Sequence, residues 1–282
     1  MTLRWVPGPG NLILRNTYVA PPLLVYYPGA AAAYSLRNLT ENNISVVRVR
    51  RDNDNSEADF TATEVSDGTL ATWVGAGNNG FVRTWYDQSG NGRNAIQSNA
   101  ASQPQIVATG FLLTENGKAS VSFNGTSNYL TTAAFFVQTT NISLVSVFKF
   151  NALTDFQTFI SFGGFISNGF LFQRPNADTY RYATNGGFAD YGNNLNTNQT
   201  LLELYDKSNG ATELFRNTVL TGQNSQSTAI NGSNVFEIGR RTDGSSQYTN
   251  MNAQEFIFYS SDQSANRTAI EANINAYYSI YP

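Results

Sequence analysis

The chain has 282 residues, 17 Lys+Arg against 20 Asp+Glu, a net charge of −3, and neither His nor Cys. Without cysteine there are no disulfides or thiolate metal centres, and without histidine there is no Ser–His or Cys–His catalysis and no usual zinc ligand, so any hydrolysis has to run on carboxylates or on a hard metal held by oxygen. The balance lacks the basic footprint of a nucleic-acid partner, and no run of about twenty apolar residues offers a membrane span.

Residues 1–32 read as an extended N-terminal arm, broken by Pro7-Gly8-Pro9-Gly10, Pro21-Pro22 and Pro28-Gly29 into pieces too short to fold alone. Such an arm either lies along a neighbouring subunit or partner protein, or drapes over its own domain. Ala30 to Ala33 imitates a signal-peptidase site, but the prolines break the segment before it; the expectation is a product made in the cytoplasm without a signal peptide.

From Ala33 the pattern becomes β. Ala33 to Arg37 and Ile44 to Arg51 read as strands, the second alternating Val47 and Val49 with Arg48 and Arg50. Asp52-Asn53-Asp54-Asn55-Ser56-Glu57-Ala58-Asp59 has the oxygen ligands of a Ca2+ loop, with Asp52 and Asp54 as first candidates, but not the glycine and glutamate spacing of an EF-hand; a solvated turn is the alternative. A short helix fits Leu70 to Val74. Phe81 to Tyr86 is a strand that stops in Asp87-Gln88-Ser89-Gly90-Asn91-Gly92, so Trp85, Tyr86, Asp87, Gly90 and Gly92 form the central motif. The Asp87 carboxylate can accept N–H groups of the turn after it, or serve a ligand or ion.

Further strands are expected at 104–107, 119–123, 129–130, 142–150, 156–162, 170–172, 179–182, 201–205, 213–215, 235–238 and 255–259, with turn signals between them. This is an all-β antiparallel sandwich or barrel in one domain, residues 33–282. Ser260 and Gln263 have capping-box spacing, and Ile270, Ile274, Tyr277 and Tyr278 make the apolar stripe of a C-terminal helix. Between Arg174 and Thr200, aromatic rings alternate with amides and carboxylates, which suits a carbohydrate; Tyr182, Asp190, Tyr191 and Asn193 are the candidates. Tyr180 and Tyr182 share one strand face, so some of these rings belong to the core. The carboxylates available to an enzyme are Asp155, Asp178, Asp190, Glu203, Asp206, Glu213 and Glu237, and no spacing pairs two of them.

Two sets of stretches each carry a family resemblance. Val121 to Leu130 (VSFNGTSNYL) and Gln254 to Tyr259 followed by the C-terminal helix resemble the concanavalin A-like, laminin-G-like jelly-roll superfamily, which implies a β-sandwich of two antiparallel sheets. Ala33 to Arg37, Val47 to Asn55 and Thr84 to Gly92 resemble the opening of the α-L-arabinofuranosidase B catalytic domain, closely as far as Leu130. That family is a retaining glycosidase with two carboxyl groups about 5–5.5 Å apart. Its catalytic pair lies beyond the closely matching region, its cysteines are missing, and the Glu-x-Asp-x-x-Glu signature of jelly-roll glucanases is absent, Glu203-Leu204-Tyr205-Asp206 being the nearest carboxylate pair and fitting an ordinary strand end. The same combination resembles structural proteins of tailed bacteriophages. That resemblance implies a non-enzymatic, homo-oligomeric virion surface protein (head fibre, capsid decoration or tail fibre), joined to capsid or tail proteins through residues 1–32 and binding a host-surface glycan. The alternative is an arabinofuranosidase-like retaining hydrolase.

Overall fold

A computed structural model describes residues 21–163, 168–176, 178–184, 187–192, 195–207, 209–225, 229–242 and 247–282, and nearly all of its regular structure is antiparallel β. In chain order the first elements are α1 (Leu23–Tyr26), β1 (Ala30–Ser35), β2 (Ser45–Arg51), β3 (Glu57–Thr61), α2 (Ala62–Ser66), α3 (Thr69–Val74), β4 (Gly80–Trp85) and β5 (Ala95–Ile96). Next come β6 (Gln105–Ala108), β7 (Phe111–Leu112), β8 (Thr114–Glu115), β9 (Lys118–Ala119), β10 (Val121–Asn124), β11 (Leu130–Thr131) and β12 (Phe135–Thr139). The longer strands follow: β13 (Ser143–Phe150), β14 (Gln157–Phe162), β15 (Phe170–Asn176), β16 (Thr179–Thr184), β17 (Gly187–Tyr191), β18 (Thr200–Asp206), β19 (Thr212–Arg216) and β20 (Val219–Asn224). The series ends with β21 (Ile230–Asn234), β22 (Phe236–Ile238), β23 (Asn250–Tyr259) and α4 (Arg267–Tyr278).

Strand pairing sorts these elements into two layers. In the first, β23 pairs along one edge with β10 and then β1, and along the other with β13, which continues to β18, β19 and β20. The second runs β3, β2, β4, β5, β11, β22, β14, β15, β16, β17. Strand β6 bonds to both β4 and β10 and so stitches the layers together.

Because successive side chains alternate, each strand sends every second residue into the space between the layers. There Phe148, Phe159, Phe172, Phe162, Phe170 and Phe258 pack with ring centroids 4.7 to 6.0 Å apart, in the range where aromatic pairs add to simple burial. The first layer is covered on its other face too. Ile270, Ile274 and Tyr278 of α4 and Leu23 and Leu24 of α1 pack on Val145, Val147, Leu201, Ile257 and Tyr259. Strand β18 is therefore buried along its whole length, which is why Leu201 to Tyr205 reads as a nearly continuous apolar run.

Several expectations need correction. The domain starts before Ala33: α1 docks under α4, and β1 begins at Ala30. Residues 1–20, the greater part of the expected arm, lie outside the described residues. Ser260 and Gln263 form no capping box, since Gln263 N donates to Ser143 Oγ and α4 starts only at Arg267. The reciprocal box belongs to Thr61 and Glu64, which open the unanticipated helix α2.

Candidate functional site on the open layer

Unlike the first layer, the second has, among the described residues, no helix over the outer face of its β22–β17 half. Pairing from β11 to β17 lines up Thr131, Glu237, Ser161, Leu171, Ala183 and Phe188 in one outward row, with Thr158, Gln173, Arg181 and Asp190 in the next. The inward residues of the same strands are Ile238, Ile160, Phe172 and Tyr182. The chain after β22 returns over this face: Thr158 Oγ1 lies 3.3 Å from Gln247 Oε1, and Ser161 Oγ donates to Arg240 O at 3.2 Å.

These residues enclose a cleft of ≈ 240 Å³. Leu171 and Ala183 lie at its floor, Phe156 and Phe188 are its aromatic walls, and Gln173, Gln247, Arg181 and Arg241 supply its polar lining. The walls are 51% and 57% exposed, unusual for phenylalanine unless an apolar surface is to be offered. Phe156 also has a φ of 56°, a left-handed conformation that costs a bulky residue energy. Arg181 sits 3.9 Å over the Phe188 ring and grips Asp190 through two hydrogen bonds of 2.6 and 2.7 Å. Toward β11, the 3% exposed Glu237 accepts from Arg240 Nη2 at 2.9 Å, and that guanidinium lies 3.5 Å over the Tyr129 ring. Apolar ring faces beside amides and charged groups can hold a sugar, whose C–H face stacks while its hydroxyls are bonded.

Most residues singled out from sequence lie elsewhere. The rings of Tyr182 and Tyr191 point between the layers and are buried, so they cannot be stacking platforms. Burial, and the nearness of Asp206, push the Tyr182 hydroxyl well above its ordinary value; burial moves Tyr191 up to about 12. Asp190 is on the outer face, tied to Arg181, and Asn193 lies outside the described residues. Asp52 accepts from Asn79 N and Nδ2, while Asp54 pairs with Arg51 and accepts from Ser56 N. A cation between those two aspartates would have to displace Arg51, and no group of three or more metal-ligating side chains occurs among the described residues.

The Asp87 turn works as a clamp on the edge of β1. The Asp87 carboxylate accepts from Ala33 N, Ser89 N, Ser89 Oγ and Arg93 N at 2.8 to 2.9 Å. Gln88 reaches Ser35 O and Arg37 O, and Arg93 reaches Ala31 O. Gly90 and Gly92, at φ of 88° and 69°, make the required left-handed turns. Trp85 is core, and the Tyr86 hydroxyl donates to Asp59 Oδ1 at 2.6 Å; burial, then this bond, raises it to about 12.

Of the carboxylates available to an enzyme, Glu203 is buried beneath α4, where burial first and the nearby Glu271 second hold its pKa well above the ordinary range. Glu213 pairs with Lys207, Asp206 is buried at the end of β18, and Asp155 and Asp178 are exposed loop residues. On the open face Glu237 and Asp190 are separated by four strand spacings of about 4.8 Å, roughly 19 Å in all. They are too far apart to act as a retaining pair. Phe156, Gln173 and Gln247 carried no sequence signal, because only strand pairing brings them together.

No protein-family model and no curated protein sequence matches the chain. Among solved structures it is similar to a GH54 α-L-arabinofuranosidase mutant soaked with 4-nitrophenyl α-L-arabinofuranoside, with a TM-score of 0.68 and 14% identity, covering 90% of this chain and 65% of that one. An arabinofuranosidase complexed with arabinofuranosyl-α-1,2-xylobiose matches with a TM-score of 0.65, 14% identity and coverage of 90% and 64%. The chain thus spans somewhat less than two thirds of these enzymes' length, and at this identity the likeness concerns the fold. It supports the all-β sandwich and gives no support to the concanavalin A-like or phage assignments. The expectation of a non-enzymatic virion protein is overturned, since these likenesses lie with glycoside hydrolases. The lack of histidine and cysteine did not argue otherwise, because glycoside hydrolysis needs only carboxyl groups.

Proposed function

We propose that the chain is a carbohydrate-active module of the arabinofuranosidase kind, which takes a terminal furanoside into the cleft of the open layer and hydrolyses it with carboxyl groups. The observation that carries this reading is the cleft between Phe156 and Phe188, on a sandwich that superposes along 90% of its length on α-L-arabinofuranosidases. Glu237, nearly buried and oriented by Arg240, is the carboxylate we assign to the reacting centre. Asp190, roughly 19 Å away by strand spacing, is not its partner. Asp243 is near in sequence and lies outside the described residues.

The test is release of 4-nitrophenol from 4-nitrophenyl α-L-arabinofuranoside by the purified chain and by E237Q and D243N. Loss of at least about a hundredfold in kcat for E237Q, with the fold intact, is expected for a group that acts in the transition state. The separation of the two carboxylates on the open face favours a second reading, binding without turnover. In that case the wild-type chain releases no nitrophenol yet is retarded in gels containing arabinan, and F188A abolishes the retardation.

A further inference from the structure

On the covered side of the molecule, three residues outside the cleft form an arrangement with its own chemistry. Lys149 of β13 and Asn252 of β23 are direct cross-strand partners, both on the outer face of the first layer. Above them lies Glu115. The Lys149 ammonium is 3.2 and 3.1 Å from its two oxygens, and Asn252 Nδ2 donates to Glu115 Oε1 at 2.6 Å. Lysine and asparagine thus share one carboxylate oxygen. On the other side of the same amide, Asn151 Nδ2 donates to Asn252 Oδ1 at 3.0 Å.

The carboxylate is held in place by its surroundings. Glu115 stands at the Asn116-Gly117 turn of the β8–β9 hairpin, whose φ angles of 49° and 71° fit a tight two-residue connection. Asn116 Nδ2 donates to Tyr278 O and Ser279 O at the end of α4, and Gln254 Nε2 donates to Glu115 O. Glu115 is 14% exposed and Lys149 32%. The three groups are therefore preorganised rather than free surface chains.

We propose that Lys149 and Asn252 form an intramolecular isopeptide bond, with Glu115 as the proton carrier. An amine becomes a nucleophile once a neighbouring base removes its proton, and an amide carbonyl becomes an electrophile where a donor meets its oxygen. Glu115 takes one proton from the Lys149 ammonium, and the freed lone pair of Nζ adds to Cγ of Asn252. Charge developing on Oδ1 is met by Asn151 Nδ2. Glu115 hands its proton to Nδ2, the Cγ–Nδ2 bond breaks and ammonia leaves. Glu115 then takes the second Nζ proton and passes it to that ammonia, which departs as ammonium, so Glu115 is regenerated and neither oxidant nor reductant is used. The product is one amide bond between β13 and β23.

Mass spectrometry of the folded protein tests this. The linked chain is expected about 17 Da below its sequence mass, the mass of one ammonia, and its tryptic digest should contain a branched peptide joining the segments of Lys149 and Asn252. K149R keeps the cation and the ion pair but has no such amine, and it should have its full sequence mass, as should E115Q. Succinimide formation at an Asn-Gly pair loses the same mass, but it gives no branched peptide and persists in K149R. A wild-type protein that keeps its full mass after days of incubation in the folded state at neutral pH overturns the proposal. A branched peptide that still forms at the wild-type rate in E115Q overturns the role given to Glu115.

Discussion

The two layers have similar strands and opposite outer faces. Over part of the first, α1 and α4 exclude water, so a polar group buried beneath them needs a partner in the protein. Arg37, 4% exposed, binds Glu255, 0% exposed, through bonds of 2.7 and 2.9 Å and donates to Asn273 Oδ1, while Ser35 Oγ donates to the same carboxylate. Although burial opposes its charge, Glu255 holds the Arg37 guanidinium above its ordinary value. The second layer also has arginine–carboxylate pairs: Glu237 of the Arg240 pair is nearly buried, but Arg48–Asp59 and Arg181–Asp190 are partly exposed along the sheet. The same two functional groups thus fix the architecture on one side and leave a surface free for a ligand on the other. What differs is the cost of leaving one of them without its partner.

The largest expected effect comes from breaking the covered pair. R37M leaves Glu255 buried and uncompensated and should cost about 3–5 kcal/mol in urea unfolding, against about 1 kcal/mol or less for R48A on the open side. Equal losses would erase the contrast between the layers. Next is D87A, which strands the buried N–H of Ala33 and loosens the edge of β1; about 3 kcal/mol is expected from unmet buried donors, with a smaller loss for D87N.

A third prediction concerns pH. Folding raises the Glu203 pKa above the ordinary 4.5, so the folded chain holds that proton more tightly than the unfolded one. The resulting stabilisation is complete below the ordinary value and is lost as pH rises through the raised one. E203Q, neutral at every pH, should therefore raise the Tm relative to wild type at pH 7 to 8, and the difference should shrink toward pH 4. A difference that does not change with pH would mean that Glu203 is not the proton holder. The smallest effect on stability is expected for F188A, within about 0.5 kcal/mol, because its ring is mostly in solvent; its consequence should be for saccharide retention.

Local signals explain how much could be read beforehand. The alternation of Val47 and Val49 with Arg48 and Arg50 marked a strand with one wet face, and the Ile270, Ile274, Tyr278 stripe marked the helix that covers the first layer. Strands β20 and β21, rich in Gly, Asn, Thr and Ser, have no apolar period and exist because a neighbour offers its edge. Parity put Tyr180 and Tyr182 on one face, but parity alone does not say whether that face is wet, and here it is dry. The cleft was harder still. Glu237 stood among the carboxylates considered, yet the order β22, β14, β15, β16, β17 that sets it in a row leading to Phe188 is a property of the sheet and of no single segment.

Strand β23 bonds to β1, β10 and β13, yet it is made after all of them. As synthesis proceeds from the N-terminus, those three wait with a vacant edge until residue 259 has emerged, and the first layer assembles in one late event. A nascent chain halted before Asn250 should bind chaperones and yield to proteases within the strands of the first layer, and completion of β23 should suddenly protect them.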